Sequence, residues 1–278
     1  MNLLVGTAAG AERSKYLARL AAAWCAGAIL SPVLTSVWIA GISPPSRLSL
    51  FALLFLLPFV ATKGRGIEAA PRAQRQAREP APRGTSSGLG IALLCVAIFL
   101  VYGGIEASIA SWIPMFALRY SATPLFAAQW LISAFWLGLM LGRIYIARIV
   151  TPPIEHAILR VAIIGSACCL GLCIAAPSAG TIWAGSVLIG VCLSPLFPLM
   201  LSASIAGGLS VQALGAALAA CGLGAAMFPS FLDLLSSFYS LRTAMLLPLV
   251  ALGMLLFLSW RLTQLNCRPV LLDAPAGG

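Results

Sequence analysis

The chain has 278 residues, of which 61% are hydrophobic and only 9% are charged, and its net charge is +10. Soluble domains carry about a quarter of charged residues. A soluble fold of this length could not bury so much apolar surface, so the composition excludes an ordinary soluble protein.

Eight long apolar stretches follow one another, separated by short segments that carry nearly all the charge. Most reach roughly 20 residues, the length that a helix needs to cross a hydrocarbon core of about 30 Å. They are continuously apolar rather than alternating, which favours helices over transmembrane strands. The sequence therefore predicts an all-α polytopic membrane protein with eight transmembrane helices, at residues 17–40, 46–62, 91–117, 122–145, 157–176, 180–203, 211–236 and 239–262.

The basic residues collect on one side of the membrane if these helices simply alternate in direction. With the N-terminus in the cytoplasm, all but three of the 17 lysines and arginines lie inside; the exceptions are Arg47, Arg119 and Arg242. This pattern predicts an integral protein of the plasma (inner) membrane with both termini cytoplasmic. Topology and contact with anionic lipid then explain the net charge, and no nucleic-acid partner is expected.

One cytoplasmic segment differs from the other connections. Residues 63–89 are polar, basic and rich in Pro, Gly and Ala, which predicts a flexible linker, although a role in binding substrate is an alternative. The linker separates two helices in residues 1–62 from six helices in residues 90–264, and residues 265–278 form a cytoplasmic tail.

Four segments of the second part resemble the major facilitator superfamily. FLVYGGIEASIASWIPMF, at residues 99–116, is similar to the first helix of the second bundle in fucose-permease-like sugar transporters. FWLGLMLGRIYIAR, at residues 135–148, resembles the Gly-x-x-x-Gly-Arg signature of the family. GVCLSPLFPLMLS and GAALAACGLGAAMFP, at residues 190–202 and 215–229, resemble its Pro-interrupted fourth helix and its small-residue fifth.

The resemblance implies an architecture and a function. Members join two six-helix bundles by a basic loop and bind a solute near the bilayer midplane between them, in alternating access. Residues 90–264 would be a complete C-terminal bundle, and residues 1–62 a partial N-terminal bundle that lacks about four helices. Residues 2–20 resemble the end of a fourth helix and the loop after it.

The function that the resemblance implies is secondary transport of a small polar solute. A sugar is favoured, and a proton is the candidate coupling ion. The alternative is a truncated, non-transporting membrane protein or a subunit of a larger assembly, with self-association if the chain is complete.

Glu106 is the most informative position, because a carboxylate inside a span costs about 2.5–3.5 kcal/mol on insertion scales. It could line a pathway, where it would take up a proton or bind a polyol, with Tyr102 and Trp112 as neighbouring candidates. The alternative is a protonated side chain bonded to a nearby backbone group or serine. Gly103 and Gly104, just before it, could loosen the helix and expose carbonyls.

A polar and aromatic stripe follows on the next helix, where Gln129, Ser133, Trp136 and Met140 share one face. Such a stripe suits a sugar-like solute, since aromatic rings pack on sugar faces while amides and hydroxyls bind their polar groups. The alternative is that Trp136 lies at the membrane interface and that the polar residues hold helices together.

Other residues are candidates for gating or packing. Gly138, Gly142 and Arg143 belong to the signature segment, and Pro195 and Pro198 predict a kink in a helix that lines or gates the cavity. A further run of small residues at helical spacing predicts close helix packing; its members are Gly215, Ala219, Gly222 and Ala226.

An intramembrane enzyme is the competing class of protein. His156 is the only histidine, and no serine lies in a nucleophile-elbow motif. The eight cysteines have no zinc-site spacing, and nucleotide-binding glycine motifs are absent from the sequence. The sequence therefore predicts no enzymatic activity, no cofactor and no metal.

Overall fold

The computed structural model describes residues 13–33 and 86–266, and all regular structure within these ranges is helical. It contains a short 3₁₀ turn, Pro152–Ile154, and nine α-helices: α1 Arg13–Val33, α2 Ser86–Tyr120, α3 Leu125–Ile149, α4 Glu155–Ala175, α5 Ala179–Leu193, α6 Leu196–Ala206, α7 Val211–Phe238, α8 Leu241–Ala244 and α9 Leu246–Asn266.

Six segments of the described chain are long and apolar enough to cross a membrane: Leu89–Tyr120, Leu125–Ile149, Glu155–Ala175, Ala179–Ala206, Val211–Phe238 and Leu241–Gln264. They match the last six predicted spans, so the prediction of an all-helical integral membrane protein is confirmed. The first predicted span overlaps α1. The second predicted span, nearly all of the linker and the tail from residue 267 lie outside the described residues.

Serine side chains cap the N-termini of three helices. Ser178 accepts a hydrogen bond from the backbone N–H of Thr181 at 3.1 Å. Ser210 does the same for Ala213 at 3.2 Å, and Ser240 for Thr243 at 3.1 Å. Each cap satisfies a backbone donor that would otherwise be left without a partner at a helix start, so the connections can be short.

The helical hydrogen bonding of the fourth described span is interrupted at Ser194 and Pro195. Pro195 has no N–H to continue the helical ladder, so α5 ends at Leu193 and α6 starts at Leu196. The hydroxyl of Ser194 donates to the carbonyl of Val191 at 2.6 Å. Pro198 lies buried in the first turn of α6, where a proline costs no hydrogen bond.

Glycines bring α3 and α5 into close contact. Gly138 lies against the carbonyl of Val187, and Gly190 lies against the carbonyl of Phe135. Gly142 faces the side chain of Ser194. No side chain would fit at these positions, so the two helices pack backbone to backbone.

Hydrogen bonds join helix ends in two groups. Ser14, at the start of α1, donates to Glu155 at 2.5 Å and is hydrogen-bonded to Ser202 at 2.7 Å. Arg242, at the start of the last span, donates to the carbonyls of Ile174 and Ala175 at 2.8 and 2.6 Å. The first group joins helix ends that the charge pattern puts inside, and the second joins ends that it puts outside. Which side is cytoplasmic stays a prediction.

Candidate functional site

A cavity of about 510 Å³ lies between α1 and four helices of the six-span part. It reaches the middle of the span formed by α2, where Glu106 lies. Its walls are formed by Leu20, Ala21, Ala23 and Trp24 of α1, Tyr102 and Glu106 of α2, Arg143 of α3, Phe197 of α6 and Cys221 of α7.

Glu106 is bound on two sides within this cavity. Its Oε2 accepts a hydrogen bond from the hydroxyl of Tyr102, one helical turn earlier on α2. The same oxygen lies 3.6 Å from Nη2 of Arg143, and the glutamate side chain is 15% exposed. The carboxyl group is therefore accessible from the cavity, while a hydroxyl and a guanidinium compensate its burial.

Arg143 connects three helices. Its Nη1 donates to the carbonyl of Ala21 at 3.0 Å and to Sγ of Cys25 at 2.7 Å, both on α1. Its Nη2 lies 3.5 Å from the hydroxyl of Tyr102 on α2. The side chain is 3% exposed, and its buried Nε has no hydrogen-bond partner among the described residues.

The burial of Arg143 corrects the charge count made from the sequence, which placed it with the cytoplasmic cations. Side chains on a helix lean toward its N-terminus, and in α3 that direction leads from the signature segment back toward the centre of the span. The long arginine side chain consequently reaches Glu106 instead of leaving the membrane.

Aromatic rings surround the charged pair. Trp24 packs edge-on against Trp136, with ring centroids 5.0 Å apart, and Phe197 lies 6.0 Å from the ring of Tyr102. Trp24 is 59% exposed, so among the described residues the cavity is open beside α1.

The stripe predicted on α3 does not line this cavity as a unit. Gln129 is exposed near the start of the helix, and Met140 is only half-buried. Ser133 is buried, with no hydrogen-bond partner for its hydroxyl within the described ranges. Trp136 does not line the cavity either, but its ring contacts that of Trp24, which does. A common helix face therefore did not bring these residues to one site.

The predicted neighbours of Glu106 on α2 lie in different surroundings. Tyr102 lines the cavity, whereas the indole N–H of Trp112 donates to the carbonyl of Pro229 on α7 at 3.3 Å. Gly103 and Gly104 do not loosen the helix, because α2 is helical throughout Ser86–Tyr120. They face α7 instead, where no side chain would fit.

The small-residue run predicted on α7 is on the wrong face for packing within the described structure. Gly215 and Gly222 have open space around them, and Ala219 and Ala226 are exposed. The residue that brings α7 against α2 is Gly224, which lies against the carbonyl of Leu100.

Six residues of the site were missed from the sequence: Leu20, Ala21, Ala23, Cys25, Phe197 and Cys221. All of them are apolar or nearly so, and nothing distinguishes them from other residues of a lipid-facing helix. Arg143 did carry a signal, since two opposite charges inside predicted spans are expected to pair.

The site contains acid, guanidinium, phenol and thiol groups, and no group of three or more potential metal ligands occurs in the described part of the chain. Such a set can bind a polar or charged solute and exchange a proton. A comparison with models of protein families finds no match to the chain, and a comparison with curated proteins finds none.

Proposed function

We propose that this protein transports a small polar solute across the membrane by alternating access, as a secondary transporter with a proton as the candidate coupling ion. The observation that carries the proposal is the cavity at mid-span with a buried pair of opposite charges, Glu106 and Arg143, in its wall. A sugar or a similar solute is the class that the resemblance implies.

The cost of the charged pair supports a functional role. Each charge inside a span costs several kcal/mol, about 2.5–3.5 on insertion scales, and a protein that only inserts has no use for either. The cavity volume of about 510 Å³ lies within the range of roughly 300–1,000 Å³ that is typical of small-molecule sites. Trp24 and Phe197 bring aromatic rings to the cavity wall, where they can pack against a solute.

The contacts of α1 support movement of that helix. Polar contacts hold it to the six-span part through Arg143 at mid-span and through Ser14 at one end. Hydrogen bonds of this kind contribute about 0.5–1.5 kcal/mol each, more where a charge takes part, so they can break one at a time.

The second candidate function is that of a subunit in a larger assembly, or of a membrane protein that does not transport. The exposure of Trp24, at 59%, favours it, because this ring lines the cavity and still has more than half of its surface uncovered among the described residues. In an assembly, a helix from another chain would close this side.

Uptake by the full chain in proteoliposomes tests the proposal. We expect accumulation of at least one solute from a panel of radiolabelled sugars and sugar acids when a proton gradient is imposed. E106Q should lose the dependence on the gradient, while D233N, which removes an exposed carboxylate from α7, should behave as the native chain. Folded protein that takes up no solute in either condition would favour the second function.

A further inference from the structure

We propose that the solute carries a carboxylate, which Arg143 binds when the Glu106 carboxyl is protonated. This inference rests on the proposed function and names the class of solute for the same cavity. Its starting point is the incomplete set of partners of a buried guanidinium.

Arg143 is almost fully buried, yet three of its five N–H donors have no hydrogen bond of ordinary length. Nη1 is well bonded to α1, but Nη2 has contacts only at 3.5 and 3.6 Å, and Nε has none among the described residues. Charge-assisted bonds of arginine to carboxylates are usually about 2.7–2.9 Å long and often bidentate. A buried polar atom without a partner is uncommon and calls for an explanation.

Glu106 does not fill this role. Its Oε2 is already held by the hydroxyl of Tyr102, and the distance of 3.6 Å from Nη2 of Arg143 exceeds that of a hydrogen bond. A solute carboxylate that enters from the cavity can approach the guanidinium more closely than the side chain of Glu106 does.

The remaining walls favour one anionic group on an otherwise weakly polar body. Beside the charged pair, the hydroxyl of Tyr102 is the only alcohol or amide side-chain group that the described residues bring to the lining. A neutral polyol would leave several of its hydroxyls without partners there, which costs affinity. One carboxylate would find its main partner in Arg143.

Protonation of Glu106 decides the sign of the cavity charge. With the carboxylate ionised, the pair is neutral; with a proton bound, Arg143 remains as the positive charge. The groups that face Glu106 are Tyr102 on its own helix, Arg143 on α3, Cys25 on α1 and Cys221 on α7. Arginine keeps its charge throughout, so uptake of a proton and binding of an anion are linked.

Cys221 gives a direct measurement, because its thiol lies in the wall of the cavity. Anionic and cationic methanethiosulfonates are applied to the full chain in membranes, and mass spectrometry follows labelling of the Cys221 peptide, with C221A as the blank. The ratio of the two rates cancels the thiolate fraction at each pH. In the native chain, where Glu106 pairs with Arg143, we expect a smaller ratio of anionic to cationic labelling than in E106Q.

Two variants separate the contributions of the pair. E106Q should prefer the anionic reagent at every pH, by about tenfold over E106Q/R143Q, since one uncompensated charge in a partly buried site is worth at least that much. The double variant contains neither charge of the pair. It is compared directly with the native chain if E106Q folds poorly. Equal ratios in these two variants would overturn the role of Arg143, and D233N should match the native chain.

Solutes that protect Cys221 from labelling identify the chemical class of solute that the cavity binds. Glucuronate should slow the labelling of Cys221 in E106Q, where Arg143 lacks its carboxylate partner, and glucose, the matched neutral sugar, should not. Protection by glucose alone, or by both sugars equally, would overturn the inference and leave the proposed function intact. If neither protects, the carboxylate site is refuted, and the uptake panel then decides the proposed function separately.

Discussion

Two helix pairs of this protein are held together by different means. α2 and α7 meet through glycines: Gly103 lies against the carbonyl of Cys221, and Gly224 lies against the carbonyl of Leu100. α1 and α3 are also in extensive contact, with Leu17, Ala18 and Cys25 of α1 buried, but this pair adds the polar contacts of Arg143 and the ring contact of Trp24 with Trp136.

This difference indicates which helices stay fixed relative to each other and which helix can move. Backbones that touch along their length have no alternative arrangement of similar energy, because shape and van der Waals contact hold them everywhere at once. Between α1 and α3, the polar and ring contacts can be exchanged for others one at a time, while the apolar packing must open with them. We therefore expect α2 and α7 to be a rigid frame, and α1 to be the element that moves.

The largest effect is expected when the rigid pair is forced apart. In G224A the new methyl group would overlap the carbonyl of Leu100, so the helices must separate, and we expect a loss of about 3 kcal/mol or more in the free energy of unfolding. The midpoint of unfolding in detergent measures it.

A matched control lies two residues away on the same helix. Gly222 has open space around it, so G222A should be neutral or should stabilise the protein by up to about 1 kcal/mol, because alanine favours the helix. Similar losses in G224A and G222A would show that close contact with α2 does not hold α7 in place.

The second effect concerns the charged pair that joins α1 to the frame. R143M removes the bonds to Ala21 and Cys25 and leaves Glu106 without a cation, so we expect a loss of about 3 kcal/mol in the free energy of unfolding. E106Q/R143M should recover much of it, because no unpaired charge remains buried. The two single variants and the double variant form a cycle that measures the coupling.

An additive result in this cycle would contradict the direct interaction of Glu106 with Arg143. A coupling of more than about 1 kcal/mol would support it, since residues in contact usually couple by 0.5–3 kcal/mol. The same unfolding midpoints serve for all the variants.

The sequence predicted the last six spans well and the rotation of the helices poorly. Length and hydropathy alone place a helix in lipid, and Glu106 was found because a carboxylate there is costly. The face that a helix turns toward its neighbours depends on contrast between its sides, and residues 213–229 of α7 are all apolar or small. Gly222 and Gly224 consequently look equivalent in the sequence, although only Gly224 meets α2.

The partner of Glu106 was missed for a related reason. Arg143 lies near the end of a predicted span, where arginines usually reach the membrane surface, so the charge rule counted it as cytoplasmic. Its actual direction follows from the contact of α3 with α1 and α2, which is a tertiary property.

The smallest effect is expected at the end of α1. S14A removes the hydroxyl that donates to Glu155 and is hydrogen-bonded to Ser202, and we expect a loss of about 1 kcal/mol, since water can replace it at the half-buried carboxylate. S230A is the control, because Ser230 is exposed and its hydroxyl donates only within α7. Amide exchange in the first turns of α1 should become faster in S14A alone.

The same variant tests whether α1 moves during transport. If this end of α1 must separate from α4 and α6 in each cycle, a weaker contact lowers the barrier, so S14A should be less stable and yet take up solute at least as fast as the native chain. If α1 is static, the loss of stability brings no gain in rate. Uptake that falls in proportion to the folded fraction would place α1 in the frame with α2 and α7, and the division between a rigid and a movable pair would be wrong.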